Sequence, residues 1–330
     1  MPAISIIICA YTEKRWDDLV AAVESVRSQT LPPVEIIVVV DHNQQLLKRV
    51  QDLNVITVEN TGVRGLSGAR NSGIVAARGN IIAFLDDDAI ATSDWLMLLN
   101  EGFSDPQVLG VGGAVLPLWL SHKPLWLPEE FYWVVGCTYR GMPTKVAMVR
   151  NLIGANMSFR RKVFDAVGGF HSEIGRVGTR ALGCEETELC IRAFQYWPLK
   201  GFLYQPRAKV FHRVTRERTN WRYFCSRCYF EGISKALVSR FVGARDGLAS
   251  ERTYTLRVLP RGVGHGLIDA FFHHDLSGLG RAGAIICGLA LTAIGYCLSS
   301  VLLRKTKPEL TIAPEDVAHD SREMPQSLTV

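Results

Sequence analysis

The chain has 330 residues, which can hold one large α/β domain with an appendage or two modest domains. Hydrophobic residues make up 48% of it, a share high for a purely soluble protein and one that points to membrane contact. The net charge of +5 is mild and basic residues thicken after residue 200, which favours an anionic membrane surface or phosphorylated substrates and argues against nucleic acid as a partner.

Residues 4–9 are a short apolar run with no positive charge before it, so they read as a first strand and not as a signal peptide. With no export signal, the eight scattered cysteines read as reduced thiols. The lone C-x-x-C at Cys225-Ser226-Arg227-Cys228 reads as helix packing before zinc or redox chemistry. Residues 16–29 carry Leu19, Val20, Val23 and Val26 at helical spacing, and Pro32-Pro33 then breaks the chain. Residues 35–40 form a β-branched strand ending at Asp41. A helix over 46–53, a short strand over 55–58 and a glycine-rich stretch over 62–73 that leads into a helix through Ala77 follow. Residues 81–85 are an uncharged strand, buried on both faces, that stops abruptly at Asp86-Asp87-Asp88. With a further helix over 95–103, this β-α alternation predicts a parallel sheet with right-handed crossovers.

Residues 108–116 read as another strand, and the Trp- and Pro-rich residues 119–133 as a loop over the site or on a membrane face. Residues 153–159 are a strand-like return, and 161–167 a short helix stopped by Gly168-Gly169. Residues 185–196 are a helix that opens on Glu185, Glu186 and Glu188, where the macrodipole favours acids. Residues 209–213 read as a late strand, and 221–241 and 254–275 as basic amphipathic helices. Residues 282–303 carry no charge and are long enough to cross a bilayer, but their Gly, Ala and Ser content leaves a re-entrant or interfacial helix open. The polar tail over 304–330 reads as disordered.

Three strand ends converge in such a sheet: residues 11–15, Asp41, and Asp86 to Asp88. Tyr11 could stack on a base, Asp41 could accept from a base N–H, and the acid triplet could hold ribose and a metal. Arg70-Asn71 at a helix start adds a cation and an amide. Three adjacent carboxylates repel one another and need a cation or strong donors, although a solvated helix cap would also account for them. No G-x-G-x-x-G follows the first strand, and the glycines at 62, 65, 68 and 73 are not followed by Gly-Lys-Ser/Thr, so dehydrogenase and P-loop readings fail.

Over roughly residues 1–225 the chain resembles a family 2 glycosyltransferase of the GT-A fold, an α/β nucleotide-sugar domain with a mixed, mostly parallel sheet. The resemblance rests on Ile6-Ile7-Ile8-Cys9-Ala10-Tyr11, Glu35 to Asp41, Gly68-Ala69-Arg70-Asn71-Ser72-Gly73 and Phe84-Leu85-Asp86-Asp87-Asp88-Ala89. Gly154-Ala155-Asn156-Met157-Ser158-Phe159-Arg160, Val167-Gly168-Gly169-Phe170 and Glu185-Glu186-Thr187-Glu188-Leu189-Cys190 complete it. The segment Arg227-Cys228-Tyr229-Phe230-Glu231-Gly232-Ile233-Ser234-Lys235 is similar to enzymes that transfer glucuronate onto a sugar linked to a polyprenyl phosphate.

The resemblance implies roles residue by residue. Asp86 and Asp88 match the outer acids of the D-x-D motif, Asp86 facing ribose or base and Asp88 an Mn2+ or Mg2+ ion on the nucleotide diphosphate. Tyr11, Asp41 and Arg70 match donor-side positions. His212 matches a histidine that completes the metal site in some relatives, and a structural strand-end histidine is the other reading. Asn156 and Glu185 are accessory or acceptor-side candidates, and Arg213 with Arg216 could neutralise the leaving group or form a solvated basic face. Glu186 stands at the base position, one bond longer than the aspartate common there, or roughly 1.5 Å. Glu185 and Glu188 stay open as alternatives.

The expected organisation is a GT-A domain over 1–225, a basic amphipathic region over 226–281, a transmembrane or re-entrant helix over 282–303 and the tail. The expected reaction is inverting transfer from a nucleotide sugar, UDP-linked by the resemblance, to a polyprenyl-phosphate-linked sugar, at the cell membrane with the catalytic domain facing the cytoplasm. The rivals are a processive polysaccharide synthase and a catalytically inactive nucleotide-sugar-binding membrane protein. Basic sequence on both sides of the apolar stretch conflicts with a simple span, unless that stretch is re-entrant or interfacial.

Overall fold

β-Branched runs alternating with amphipathic stretches build one mixed sheet in the computed structural model, which describes residues 3–176, 182–247 and 249–305. The first half supplies strands β1 (Ile4–Ala10), β2 (Glu35–Asp41), β3 (Ile56–Asn60), β4 (Ile81–Asp86), β5 (Ala89–Ala91) and β6 (Val108–Trp119). β7 (Ala147–Val149), β8 (Asn156–Arg160) and β9 (Gly201–Val214) follow. The order across the sheet is β3-β2-β1-β4-β8-β6-β9-β5, with β7 on the edge of β9. β3, β2, β1 and β4 are mutually parallel, and β8 runs antiparallel to both β4 and β6.

Helices α1 (Trp16–Arg27), α2 (Gln44–Val50) and α4 (Trp95–Gly102) cover one face, while α3 (Leu66–Ala76), α5 (Arg161–Val167) and α6 (Glu185–Tyr196) cover the other. Ile6 and Ile8 therefore pack into one core and Ile7 into the opposite one. Each is fully buried, which contributes about 1.5–3 kcal/mol per side chain. This two-sided burial is why the strand shows a continuous apolar run and no alternation.

The rest is helical: α7 (Trp221–Val242), the short α8 (Ala244–Gly247) and α9 (Ala249–Thr253), α10 (Leu259–Phe272) and α11 (Ser277–Lys305). α7 and α11 meet at glycines. A Cβ on Gly232 would sit 2.1 Å from the Thr292 carbonyl oxygen, and one on Gly295 would sit 2.2 Å from that of Tyr229. The Thr292 hydroxyl donates to the Cys228 carbonyl at 3.0 Å across the same seam. Every exposed position of α11 between Gly283 and Leu302 is Gly, Ala, Ile, Leu, Val or Cys.

Several expectations change in detail. Residues 119–133, expected as a loop over the site or on a membrane face, are only partly a loop, and Phe131 and Trp133 line the cavity. Part of the segment forms a 3-10 helix (Glu129–Val135), and Phe131 packs on Phe224 and beneath Gly288. The helix expected over 254–275 starts as a π turn (Tyr254–Val258) before α10, whose Pro260 tolerates only a helix start. β5 and β7 were not foreseen, since three residues carry too little pattern to read. The apolar stretch 282–303 lies inside one longer helix, and 306–330 of the tail fall outside the described residues.

Candidate active site

Parallel register places three strand ends at one edge. Ala10 pairs with Val40 across β1 and β2, and Cys9 pairs with Asp86 across β1 and β4. Tyr11, Asp41 and Asp86 to Asp88 thus border a single cavity of about 800 Å3. Asp41 is pinned there: the Asn60 amide donates to one of its oxygens at 2.7 Å and the Gly65 N–H to the other at 3.0 Å. Tyr11 is half exposed, and the Arg15 guanidinium lies 5.4 Å from its ring centre. Arg70, on α3, is 2% exposed and bridges two elements. It donates to Glu185 at 2.7 Å and the Gly154 carbonyl at 3.2 Å, and lies 3.5 Å from Asp86.

The acid triplet separates into three environments. Asp86 stays partly open to the cavity. Asp87 is buried and takes Arg15 at 2.8 Å, while burial and then Asp88 push its carboxyl up to about 7. Asp88 is buried among Arg15 at 3.2 Å, Arg218 at 3.1 Å and the His212 Nε2 at 3.1 Å. Burial would raise its pKa, but His212, Arg218 and Arg15 hold it well below the carboxylate range. His212 arrives through β9: β5 pairs with it in the register Ala89 to His212, and the Arg213 N–H donates to the Asp88 carbonyl at 2.9 Å. Burial disfavours its imidazolium, yet the Asp88 carboxylate pulls its pKa upward.

Asp86, Asp88 and His212 each present a ligand atom, all within 4.8 Å of one another. Two carboxylates and one imidazole are a donor set that suits Mn2+ and can serve Mg2+. A second divalent-ion cluster of this kind does not occur among the described residues.

The three glutamates at the start of α6 also part company. Glu188 is spent on Arg192, whose Nε and Nη2 donate at 2.6 and 2.7 Å. Glu185 is spent on Arg70. Glu186 lines the cavity with no ion pair among the described residues, accepting from the Thr187 hydroxyl at 3.2 Å. Burial and then the neighbouring Glu185 push its pKa up to about 8. Such a carboxylate binds a proton readily near neutral pH, which is what a general base must do.

Two expected site residues lie elsewhere. Asn156 is fully buried in the sheet: it accepts from Trp95 Nε1 at 2.8 Å and donates to the Ala114 and Ala208 carbonyls at 3.0 and 2.9 Å. It thereby pins the register shift of β6 against β9 between Gly113 and Ala114, and it does not line the cavity. Arg213 alternates to the other side of β9 from His212 and pairs with Asp18 of α1 at 2.7 Å. The arginines that reach Asp87 and Asp88 are Arg15 and Arg218. Arg15 follows the first strand and was legible as part of that loop. Nothing in the sequence separated Arg218 from Arg213 and Arg216.

Residues 5–168 match the sequence profile of Glycosyl transferase family 2. The chain is 36% identical to the glucosyl-dolichyl phosphate glucuronosyltransferase of Haloferax volcanii over 71% of this chain and 77% of that one. The chain belongs to glycosyltransferase family 2. A shorter match, 39% identical, joins 27% of this glycosyltransferase to 36% of the UDP-Glc:alpha-D-GlcNAc-diphosphoundecaprenol beta-1,3-glucosyltransferase of Escherichia coli, so it spans about a third of that relative. Among solved structures, a mannosyltransferase of Pyrobaculum calidifontis in complex with GDP-Man and Mn2+ superposes with a TM-score of 0.58, at 17% identity over 91% of this chain and 87% of that one. GalNAc-T7 with UDP, GalNAc and Mn2+ superposes at 0.52, with 15% identity, over 80% of this chain and 58% of that one. These likenesses give the GT-A fold, and the enzyme is a nucleotide-sugar-dependent glycosyltransferase.

Proposed function

We propose that this enzyme transfers a sugar, with glucuronate the leading candidate, from a UDP-sugar to a sugar carried on a polyprenyl phosphate, with inversion at the anomeric carbon. One observation carries the reading. A single cavity takes in the Asp86–Asp88–His212 cluster, Glu186, which has no ion pair among the described residues, and Leu289, Ala293 and Cys297 of the apolar helix α11. Donor chemistry and a lipid-compatible wall therefore share one space. The glucuronosyl and lipid-linked parts of the reading draw on the Haloferax volcanii relative.

In this mechanism Tyr11 and Asp41 hold the base of the nucleotide, and Asp86 takes the ribose, its position fixed by Arg70. Asp88 and His212, with Asp86, would hold Mn2+ or Mg2+, which when bound supplies positive charge against the leaving diphosphate. Arg15 and Arg218 stand beside Asp88 and add fixed positive charge there. Glu186 takes the proton of the acceptor hydroxyl as the sugar bond forms. Arg70 holds Glu185 in an ion pair, which leaves Glu186 as the one of the two that takes the proton.

Residues 1–225 would form the donor domain, 226–281 the helical support and 282–303 the contact with the cell membrane, the catalytic domain lying on its cytoplasmic side. Because α11 is seated along α7 through Gly232 and Gly295, an in-plane α11 with its apolar face in lipid fits better than an isolated span. It also leaves the basic sequence on both sides of α11 on one side of the membrane. The test is to incubate the full chain with a panel of UDP-sugars, Mn2+ and polyprenyl-phosphate sugars and to identify the product and its anomeric configuration. A retained configuration, or transfer only to free water-soluble sugars, would refute the proposal.

A further inference from the structure

The donor site leaves unused a buried line of charge on the cavity wall. α7 presents Arg227, Glu231 and Lys235 at four-residue intervals to the cavity. Lys235 Nζ lies 3.2 Å from Glu231 and 2.6 Å from Glu251, and Arg150 reaches both oxygens of Glu251 at 2.8 and 3.0 Å. These side chains are all at most 20% exposed. Three cations and two carboxylates among the described residues thus share this wall of the cavity. Burial would raise Glu251, but Lys235 and Arg150 bring it down to about 2, and Lys235 and Arg227 lower Glu231 against its burial, so both carboxylates stay charged across physiological pH. Arginine and lysine side chains on a cavity wall can offer charge-assisted hydrogen bonds to an anionic ligand.

The line also has a direction. It begins near the catalytic base, where the Cys184 thiol that precedes α6 lies 3.4 Å from Glu231. It ends at Lys235, which lines the same cavity as Tyr254 and Val258. There the wall turns apolar, and Leu289, Ala293 and Cys297 line the cavity while also standing exposed, so the cavity opens along the outer face of α11.

We propose that Arg150 and Lys235 form a subsite for a phosphate that bears a long apolar chain, and that the chain leaves the cavity past Leu289, Ala293 and Cys297 into the bilayer. This deepens the proposed function and rests on its lipid-linked acceptor. The phosphate would be the one joining sugar to lipid, set beyond Glu186 so that the sugar between them meets the base.

The test is equilibrium binding to the full chain in nanodiscs, with three probes: polyprenyl monophosphate, the corresponding polyprenol and inorganic phosphate. Polyprenyl phosphate is expected to bind at least about tenfold more tightly than either of the others, a difference of about 1.4 kcal/mol. Lys235→Met should erase the preference for phosphate over alcohol, and Lys235→Arg should keep it. If Lys235→Met unfolds because it strands Glu231 and Glu251, Arg150→Gln on the other side of Glu251 carries the same expectation. Equal binding of polyprenol and its phosphate, a preference unmoved in these variants, or equally tight inorganic phosphate overturns the subsite. Binding needs no turnover, so intact phosphate preference with no sugar transfer would sink the acceptor reading and leave the subsite standing.

Discussion

The two ends of the cavity are built by opposite means. At the donor edge, charges adjacent in sequence are brought to one place by parallel strand register, and each finds a countercharge: Asp87 with Arg15, Asp88 with Arg218 and His212. At the far wall, distant helices meet backbone to backbone at Gly232 and Gly295, and the surface they leave is apolar. The first end is rich in groups whose removal changes chemistry. The second is rich in close contacts whose disturbance changes packing. Substitutions at the donor edge should therefore separate activity from stability, and substitutions at the α7–α11 seam should not.

The largest effect is expected at Asp88. Asp88→Asn keeps the volume but removes the charge, and transfer should fall about 1,000-fold with a native circular dichroism spectrum. A chelator should bring the wild type to the same floor, and activity surviving both would break the donor-edge assignment. Next is Glu186→Gln, with turnover reduced at least about 100-fold while donor binding by calorimetry persists. The pH profile sharpens this. Glu186 must be ionised to act, so wild-type kcat/KM should rise as pH climbs through about 8. Its folded pKa lies above the unfolded one, so its ionisation destabilises the fold increasingly above 4.5 and fully above about 8. Glu186→Gln should accordingly raise Tm more at pH 9 than at pH 5, and an equal shift at both would remove Glu186 from its assigned environment.

At the seam, Gly232→Ala forces a methyl against the Thr292 carbonyl and should cost about 1–3 kcal/mol in thermal unfolding. Unchanged stability there would mean that α11 does not dock on α7 as described. The smallest effect is expected for Arg213→Ala. Its partly exposed pair with Asp18 is worth under about 1 kcal/mol, and with no place in the cavity its kcat should stay within about threefold of wild type.

The residues differ in how legible they were. Asp41, Asp86 and Asp88 stand at strand ends that periodicity marks, Arg70 stands in the second turn of α3 and not at its start, and all of them border the cavity. Glu186 was marked as one of three glutamates, and its neighbours were separable only once Arg70 and Arg192 claimed Glu185 and Glu188. Asn156 carried the family pattern but serves the sheet, because its amide spans three elements whose meeting no local pattern records.

By itself, then, the sequence determined the β-α order, the strands buried on both faces and the acid run at the end of β4, because these follow from hydrophobic period and local charge. Tertiary structure decided which arginines reach Asp88, which glutamate has no ion pair among the described residues and that the apolar helix lies along the catalytic domain as a wall of the cavity. Those outcomes depend on contacts between segments distant in sequence, such as Asp88 with Arg218, Arg70 with Glu185 and Cys228 with Thr292. Strand register and helix docking fix such contacts, and neither is written in the local pattern of the chain.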